Sequence, residues 1–339
     1  MRKGMNPAKE NPRLEGGPRH RIIIPVYIPT LDGYFSDSLE ILKLCLESLH
    51  ITTSGKVSIT VVSNNSVEEV VEELKRHYRD GWIDQLLLNR SNRGKIDAVV
   101  SVARGAFEEL ITISDCDVLF KANWLEAIEE IFQRFPECGF ASPVPNPTLM
   151  WYCNSATFLG GMARRELRFE KVVPEEDLDR FAYSIGRSDL YKPEHRRTQL
   201  IAKRNGLTAC LGCGHFVCTM RKEVLAAMPK YPSLSAIEGN SELFWLDIPP
   251  DKLGLWRLAT TRAYAYHMGN VVEPWMYDEL EKCHRRAAEP TAQLNELPAV
   301  RRSWISRLPW RLRNKLMQGM KRFHLRELIF RRLGYPTSE

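Results

Sequence analysis

At 339 residues, 44% hydrophobic and 27% charged, the chain is long enough to bury a large core and has the composition of a soluble globular protein. No apolar run approaches the roughly 18–20 residues of a membrane-spanning helix, and the opening MRKGMNPAKENPRLEGGPRH has no apolar signal-peptide segment. The net charge of +6 is uneven: eleven Lys or Arg lie between 301 and 332 against the single acid Glu327, so the rest of the chain carries about −4. The eight cysteines are scattered, which suits free thiols in a cytosolic protein. Cys210, Cys213, His215 and Cys218 stand too close together to wrap a tetrahedral zinc ion, so buried cysteines near a glycine turn are expected there.

The β-branched run RIIIPVYIP (21–29) predicts a strand, and SDSLEILKLCLESLH (36–50) a helix with leucines at three- and four-residue spacing. KVSITVVSNNS (56–66) predicts a strand entering a polar turn, 67–80 an amphipathic helix and 83–90 a strand. Residues 94–107 read as a helix, LITIS (110–114) as a strand, 123–135 as a helix and 138–144 as a strand. Residues 151–209 read as irregular. GCGHFVCTM then reads as a strand behind a glycine turn, RKEVLAAM as a helix, and RAYAYH as a strand that leaves His267 at its end.

Strands alternating with helices predict an α/β fold with a central, mostly parallel sheet. Ligands of such sheets bind beyond the carboxyl ends of the strands. The polar clusters fall there: Pro25 to Tyr27, Asn64 to Ser66, Asn89 to Lys95, and Asp115 with Asp117. Two carboxylates one residue apart at the end of an apolar strand repel each other unless a cation joins them. Neither G-x-G-x-x-G nor a P-loop is present, so the site is not of the dinucleotide or P-loop type.

In order and spacing, IIIPVY, VVSNNS, NRSNRGKIDAV, ISDCDVLFKANWL and YAYHMGN resemble the family 2 glycosyltransferases, whose fold is the glycosyltransferase A type. The resemblance covers roughly 21–270. It implies a disordered extension over 1–20 and a catalytic domain over 21–270, with a nucleotide-binding half (21–145) and an acceptor half (146–270). A helical basic tail over 271–339 completes the expected organisation.

The resemblance implies a UDP-sugar donor and a Mn²⁺ or Mg²⁺ ion held by Asp115, Asp117 and His267, with Asp115 and Cys116 also facing the donor. Pro25, Val26, Tyr27 and Asn65 would meet the base, with Asn65 where the family commonly has aspartate. Gly94 and Lys95 would approach the base and diphosphate, and Gly212, Gly214 and His215 would border the sugar and acceptor pocket. An inverting transfer needs a general base. Counting back twelve from Gly254 reaches Glu242, followed by Leu243 rather than the family's aspartate; Glu238 and Asp247 are reserves.

The expected activity is transfer of a sugar to a glycan or lipid-linked acceptor in cell-surface polysaccharide assembly, at the cytoplasmic face of a membrane. The tail places Ile305, Leu308, Leu312, Leu316, Met320 and Phe323 among basic residues, the composition of a helix lying on an anionic membrane surface. A helix packed on the catalytic domain is the other reading of that segment. No nucleic-acid module is recognisable. Two alternatives use the same aspartates: an inactive sugar-nucleotide-binding scaffold of the same fold, and a D-x-D phosphatase. The phosphatase motif normally sits on the first strand of its sheet, whereas several strand–helix units precede it here.

Overall fold

Ile22, Ile23 and Ile24 are all fully buried, and they divide between two apolar clusters, Ile22 and Ile24 in one and Ile23 in the other. Alternation along a strand buried on both sides places that strand inside a sheet with helices on each face. The computed structural model, which describes residues 4–6, 9, 17–53, 55–236, 240–286, 296–322 and 325–336, has this architecture.

The first elements alternate: β1 (His20–Val26), α1 (Ser38–Thr53), β2 (Ser58–Asn64), α2 (Glu68–Arg79), β3 (Gln85–Asn89), α3 (Lys95–Ala103) and β4 (Leu110–Ser114). A short β5 (Val118–Phe120), then α4 (Trp124–Arg134) and β6 (Cys138–Ser142), follow. The boundaries lie within a few residues of those predicted, and β4 spans the predicted 110–114.

Residues 151–209 are not irregular. They form α5 (Ser155–Arg164), β7 (Leu167–Glu170), α6 (Glu175–Ser184), α7 (Pro193–Arg197), β8 (Gln199–Arg204) and β9, which runs Leu207–Leu211. The β8–β9 hairpin turns on Asn205 and Gly206, with φ of 48° and 85°. Asn-Gly flanked by apolar residues is a strong hairpin signal, so this strand pair was readable from sequence. Then come β10 (Val217–Arg221), α8 (Ile248–Lys252), β11 (Trp256–Ala259), β12 (Ala265–His267) and α9 (Pro274–Arg286). RKEVLAAM forms a 3₁₀ turn, Lys222–Ala227, rather than an α-helix.

Among the described residues, ten strands form one sheet in the order β3-β2-β1-β4-β10-β6-β11-β9-β8-β7. Strands β1 to β4, β6, β8 and β11 run one way, so seven of the ten share a direction, and β7, β9 and β10 oppose them. From β1 the chain steps outward to β2 and β3, then returns to place β4 on the other side of β1. That reversal is the topological switch point, and ligands of such sheets bind beyond the strands' carboxyl ends there.

The tail helices α10 (Trp310–Arg322) and α11 (Leu325–Arg332) rest on the body. Arg313, 1% exposed, donates to the carbonyls of Ser306, Leu308 and Asp251, while Trp310 Nε1 donates to Asp251 Oδ2 at 2.9 Å. Phe330 stacks on Trp151 and meets Phe169 at 4.7 Å. Among the described residues, no helix is long and apolar enough to cross a membrane.

Candidate active site

Strand β4 is buried throughout, and its end releases Asp115 into a half-buried position. The Asp115 backbone N–H donates to the Phe216 carbonyl at 2.7 Å, extending the β4–β10 pairing by one step. This bond brings the Gly212 to Phe216 loop to the same sheet edge. Across the switch point, Lys95 at the start of α3 reaches Asp115, with Nζ 2.5 Å from Oδ1. Burial works against the Lys95 ammonium, but Asp115 outweighs it and, helped by Glu242, holds its pKa above the ordinary value.

Asp117 lies two residues on and turns elsewhere. Strand β12 pairs antiparallel with β5, His267 opposite Val118, and the Met268 N–H donates to the Asp117 carbonyl at 2.8 Å. This ribbon sets His267 Nε2 3.4 Å from Asp117 Oδ2. Among the described residues, Asp117 Oδ1 and His267 Nδ1 are buried without a hydrogen-bond partner. Burial raises the Asp117 pKa; His267 and Lys95 pull it down while Asp115 pushes it up. Phe216 and Phe181 wall the imidazole edge-on at 5.5 and 6.4 Å.

The structure therefore splits the predicted ligand set into two pairs, Lys95 with Asp115 and Asp117 with His267. Among the described residues no group of three or more His, Cys, Asp or Glu is arranged to hold a metal ion. Asp117 and His267 nonetheless fit a divalent cation: one carboxylate oxygen lacks any partner, and carboxylate with imidazole suits Mn²⁺.

At the end of β2, Asn65 is exposed with φ 68°, whereas Asn64 is buried and organises the next loop. Asn64 Oδ1 accepts from Asn89 Nδ2 at 3.2 Å and from the Arg93 N–H at 2.9 Å, and Asn64 Nδ2 donates to Asn92 Oδ1. Sequence reasoning set Asn64 and Asn92 in the polar clusters at this edge but gave neither a role; Asn64 as the last residue of an apolar strand was the available signal. Ser66 ties this turn to β1 by donating to the Val26 carbonyl at 3.1 Å. Val26 has its side chain in the core, Pro25 is half-buried, and Tyr27 is exposed with its ring edge-on to Phe35.

Gly94 has φ 76°, and a Cβ there would lie 1.9 Å from the Ser235 carbonyl oxygen. The backbone of 233–236 lies over the start of α3, held by Asp97, which accepts from the Ser233 and Leu234 N–H groups at 2.7 and 3.0 Å. Gly212 (φ 111°) likewise touches the 146–150 backbone, where a Cβ would sit 2.2 Å from the Asn146 oxygen. Gly214 is open, and half-buried Cys116 borders the apolar core. Burial pushes the Cys210 and Cys213 thiols up to about 12 and about 11, and raises Cys218 as well.

Glu242 caps a π-turn, Leu243–Asp247, where a π-bulge often marks a functional position. Its carboxylate accepts from Ser241 Oγ at 3.0 Å, and its charge reaches Lys95. Asp247, at the other end of the turn, is fully buried and engaged. Arg257 donates to Oδ1 at 2.5 Å, while His215 Nδ1 and the Tyr152 hydroxyl lie 2.9 and 3.1 Å from Oδ2. Burial would raise the Asp247 pKa, but Arg257 and His215 hold it below the ordinary value. Those contacts occupy Asp247 as a reserve base, and Glu238 lies outside the described residues.

Residues 22–152 match the family model described as glycosyl transferase family 2. No curated protein matches the sequence. Among solved structures, the mannosyltransferase PcManGT of Pyrobaculum calidifontis, in complex with GDP-Man and Mn²⁺, is similar at 15% identity and TM-score 0.44, over 82% of this chain and 66% of that one. TarS 1–349 of S. aureus is similar at 12% identity and TM-score 0.44, over 77% and 63%. This chain thus spans about two thirds or less of each of these solved chains, and 38% of the longer TarS chain.

Proposed function

We propose that this chain, whose residues 22–152 match glycosyl transferase family 2, is a metal-dependent, inverting enzyme that moves a sugar from a UDP-sugar to a glycan or lipid-linked acceptor. The observation that carries the reading is Asp117: a buried carboxylate oxygen with no partner among the described residues, beside His267, at the switch point where α/β sheets bind nucleotides.

A divalent ion held by Asp117 and His267 would supply Lewis-acid stabilisation of a leaving diphosphate. Lys95 brings a positive charge to the same edge and pairs with Asp115. Asp115 and Cys116 then face the donor, and Pro25, Tyr27 and Asn65 border its base, the asparagine carbonyl accepting from a uracil N–H. Gly94 lets the chain over α3 approach closely, so the loop stays tight beside Lys95.

Glu242 would take the proton of the incoming hydroxyl. As that oxygen bonds to the anomeric carbon, the bond to the diphosphate breaks and its electron pair leaves with phosphate. Gly212, Gly214 and His215 border the sugar and acceptor. A second reading of the base rests on one observation: His215 Nδ1 is backed by the buried Asp247 carboxylate at 2.9 Å. The carboxylate would steady the imidazolium formed by taking a proton.

Exposed Trp304, Leu312 and Leu316, interspersed with exposed Arg307, Arg311 and Lys315, support contact of 301–332 with an anionic membrane at the cytoplasmic face. Such placement suits polysaccharide assembly. Arg313 and Phe330 face the body instead, and Phe323 lies outside the described residues.

Manganese binding tests the site directly. Titration of Mn²⁺ followed by electron paramagnetic resonance should show one bound ion in the presence of a nucleoside diphosphate. The signal should be lost in Asp117→Ala and in His267→Ala. Equal binding in all three proteins would refute the assignment.

A further inference from the structure

Outside the nucleotide edge, a pocket of about 360 Å³ opens between α6, α9 and the outer side of the β5–β12 ribbon. Five cations line it, Lys121, Arg180, Arg262, Lys282 and Arg286, against the carboxylates Glu176, Asp177 and Glu279. Two of those carboxylates are already engaged. Glu279 pairs with Lys282 at 2.9 Å, and Asp177 accepts from the Ala263 N–H at 2.7 Å.

Lys121 and Arg180 share one aromatic ring. The Lys121 ammonium lies 4.3 Å from the Tyr266 centroid and donates to the Tyr266 hydroxyl at 2.7 Å. The Arg180 guanidinium lies 4.7 Å from the same centroid and 4.3 Å from that of Trp275. Among the described residues, neither side chain, nor Arg262, forms an ion pair with a carboxylate within 4.0 Å. Aromatic faces attract cations but do not neutralise them. Burial lowers the Lys121 pKa; Arg262 and Arg180 lower it further, against Asp177 and Glu279. Because the Tyr266 oxygen accepts from Lys121, its own O–H is free to donate.

We infer that this pocket binds a phosphate-class oxyanion, gripped by Lys121, Arg180 and the Tyr266 hydroxyl. Cations held together without carboxylate partners are stabilised by an anion that accepts from several of them, and charge-assisted bonds to phosphate are the strong kind. Tyr266 and His267 are neighbours on β12 and point to opposite sides of it. The pocket is thus a second site, behind the ribbon that carries His267 and distinct from the donor edge. A phosphate held there shares one rigid ribbon with the reacting centre, as a charged group of an acceptor would. The oxyanion is either a free phosphate or phosphoester, or the headgroup of a lipid.

The test is calorimetric titration of the full chain with inorganic phosphate in chelator, at matched ionic strength, so that metal-dependent donor binding is silent. We expect saturable binding that weakens at least roughly tenfold in Arg180→Gln and in Lys121→Gln and stays unchanged in Asp117→Ala. A parallel arm measures co-sedimentation with phosphatidylglycerol vesicles against phosphatidylcholine vesicles. Arg180-dependent binding to vesicles with weak phosphate binding identifies a lipid headgroup as the source, and strong phosphate binding identifies a soluble one. The inference is overturned if binding in both arms is absent, is indifferent to Arg180 and Lys121, or falls with Asp117→Ala.

Discussion

Lys95 and Asp115 come from opposite sides of the switch point and meet at 2.5 Å, the first from the start of α3 and the second from the end of β4. This contact separates two aspartates that sequence alone assigns to one cation. Asp115 is neutralised by protein, and Asp117 is left facing His267 with a free oxygen.

Removing the ammonium leaves Asp115 uncompensated beside an incoming diphosphate. Lys95→Met should weaken nucleotide-sugar binding by about ten- to a hundredfold, the range of about 1.5–3 kcal/mol for a hydrogen bond to a charged group. Calorimetry with and without Mn²⁺ checks this. Unchanged affinity would separate Lys95 from the donor.

Gly94→Ala meets two obstacles, a positive φ and a carbonyl 1.9 Å from the new Cβ. The substitution should cost about 1–3 kcal/mol of stability through backbone strain. It should also loosen 233–236 from α3. Urea denaturation gives the first effect and amide exchange at Ser233 and Leu234 the second.

The sheet edge was legible because an apolar run ending abruptly in Asp115 and Asp117 has few other meanings. His267 was legible too, since alternation in RAYAYH puts it at a strand end before a turn. Other features depend on distant chain segments. Asp247 looked available in sequence, but Arg257, His215 and Tyr152 engage it from three other places in the chain. Lys95 was read at the start of a helix and near the diphosphate, and only the strand order brings Asp115 to it. The β8–β9 hairpin was readable from Asn205 and Gly206 and was missed because the charged residues around it suggested loop.

Asp247 has a depressed pKa, so its contribution to stability is full above its ordinary value of 3.8 and is lost as pH falls through the lower folded value. Asp247→Asn leaves Arg257 buried without its anion and should cost about 3–5 kcal/mol near neutrality. The gap between the two proteins should stay level from about pH 5 to 8 and close only below 3.8. Denaturation midpoints across that range test the sign.

Glu242→Gln should lower turnover by about a hundredfold or more, as for loss of a general base, with donor affinity unchanged within about threefold. His215→Gln should have the smaller effect. The reverse order would assign the proton transfer to His215 and its Asp247 partner. Nucleoside diphosphate release measures both.

The most direct measurement is a titration of the protein with a panel of UDP- and GDP-sugars, with and without Mn²⁺, beside Asp117→Ala. The account predicts that a UDP-sugar binds only with the metal and that the variant loses this binding. Binding indifferent to Mn²⁺ and to Asp117, or no binding by any member of the panel, would contradict it.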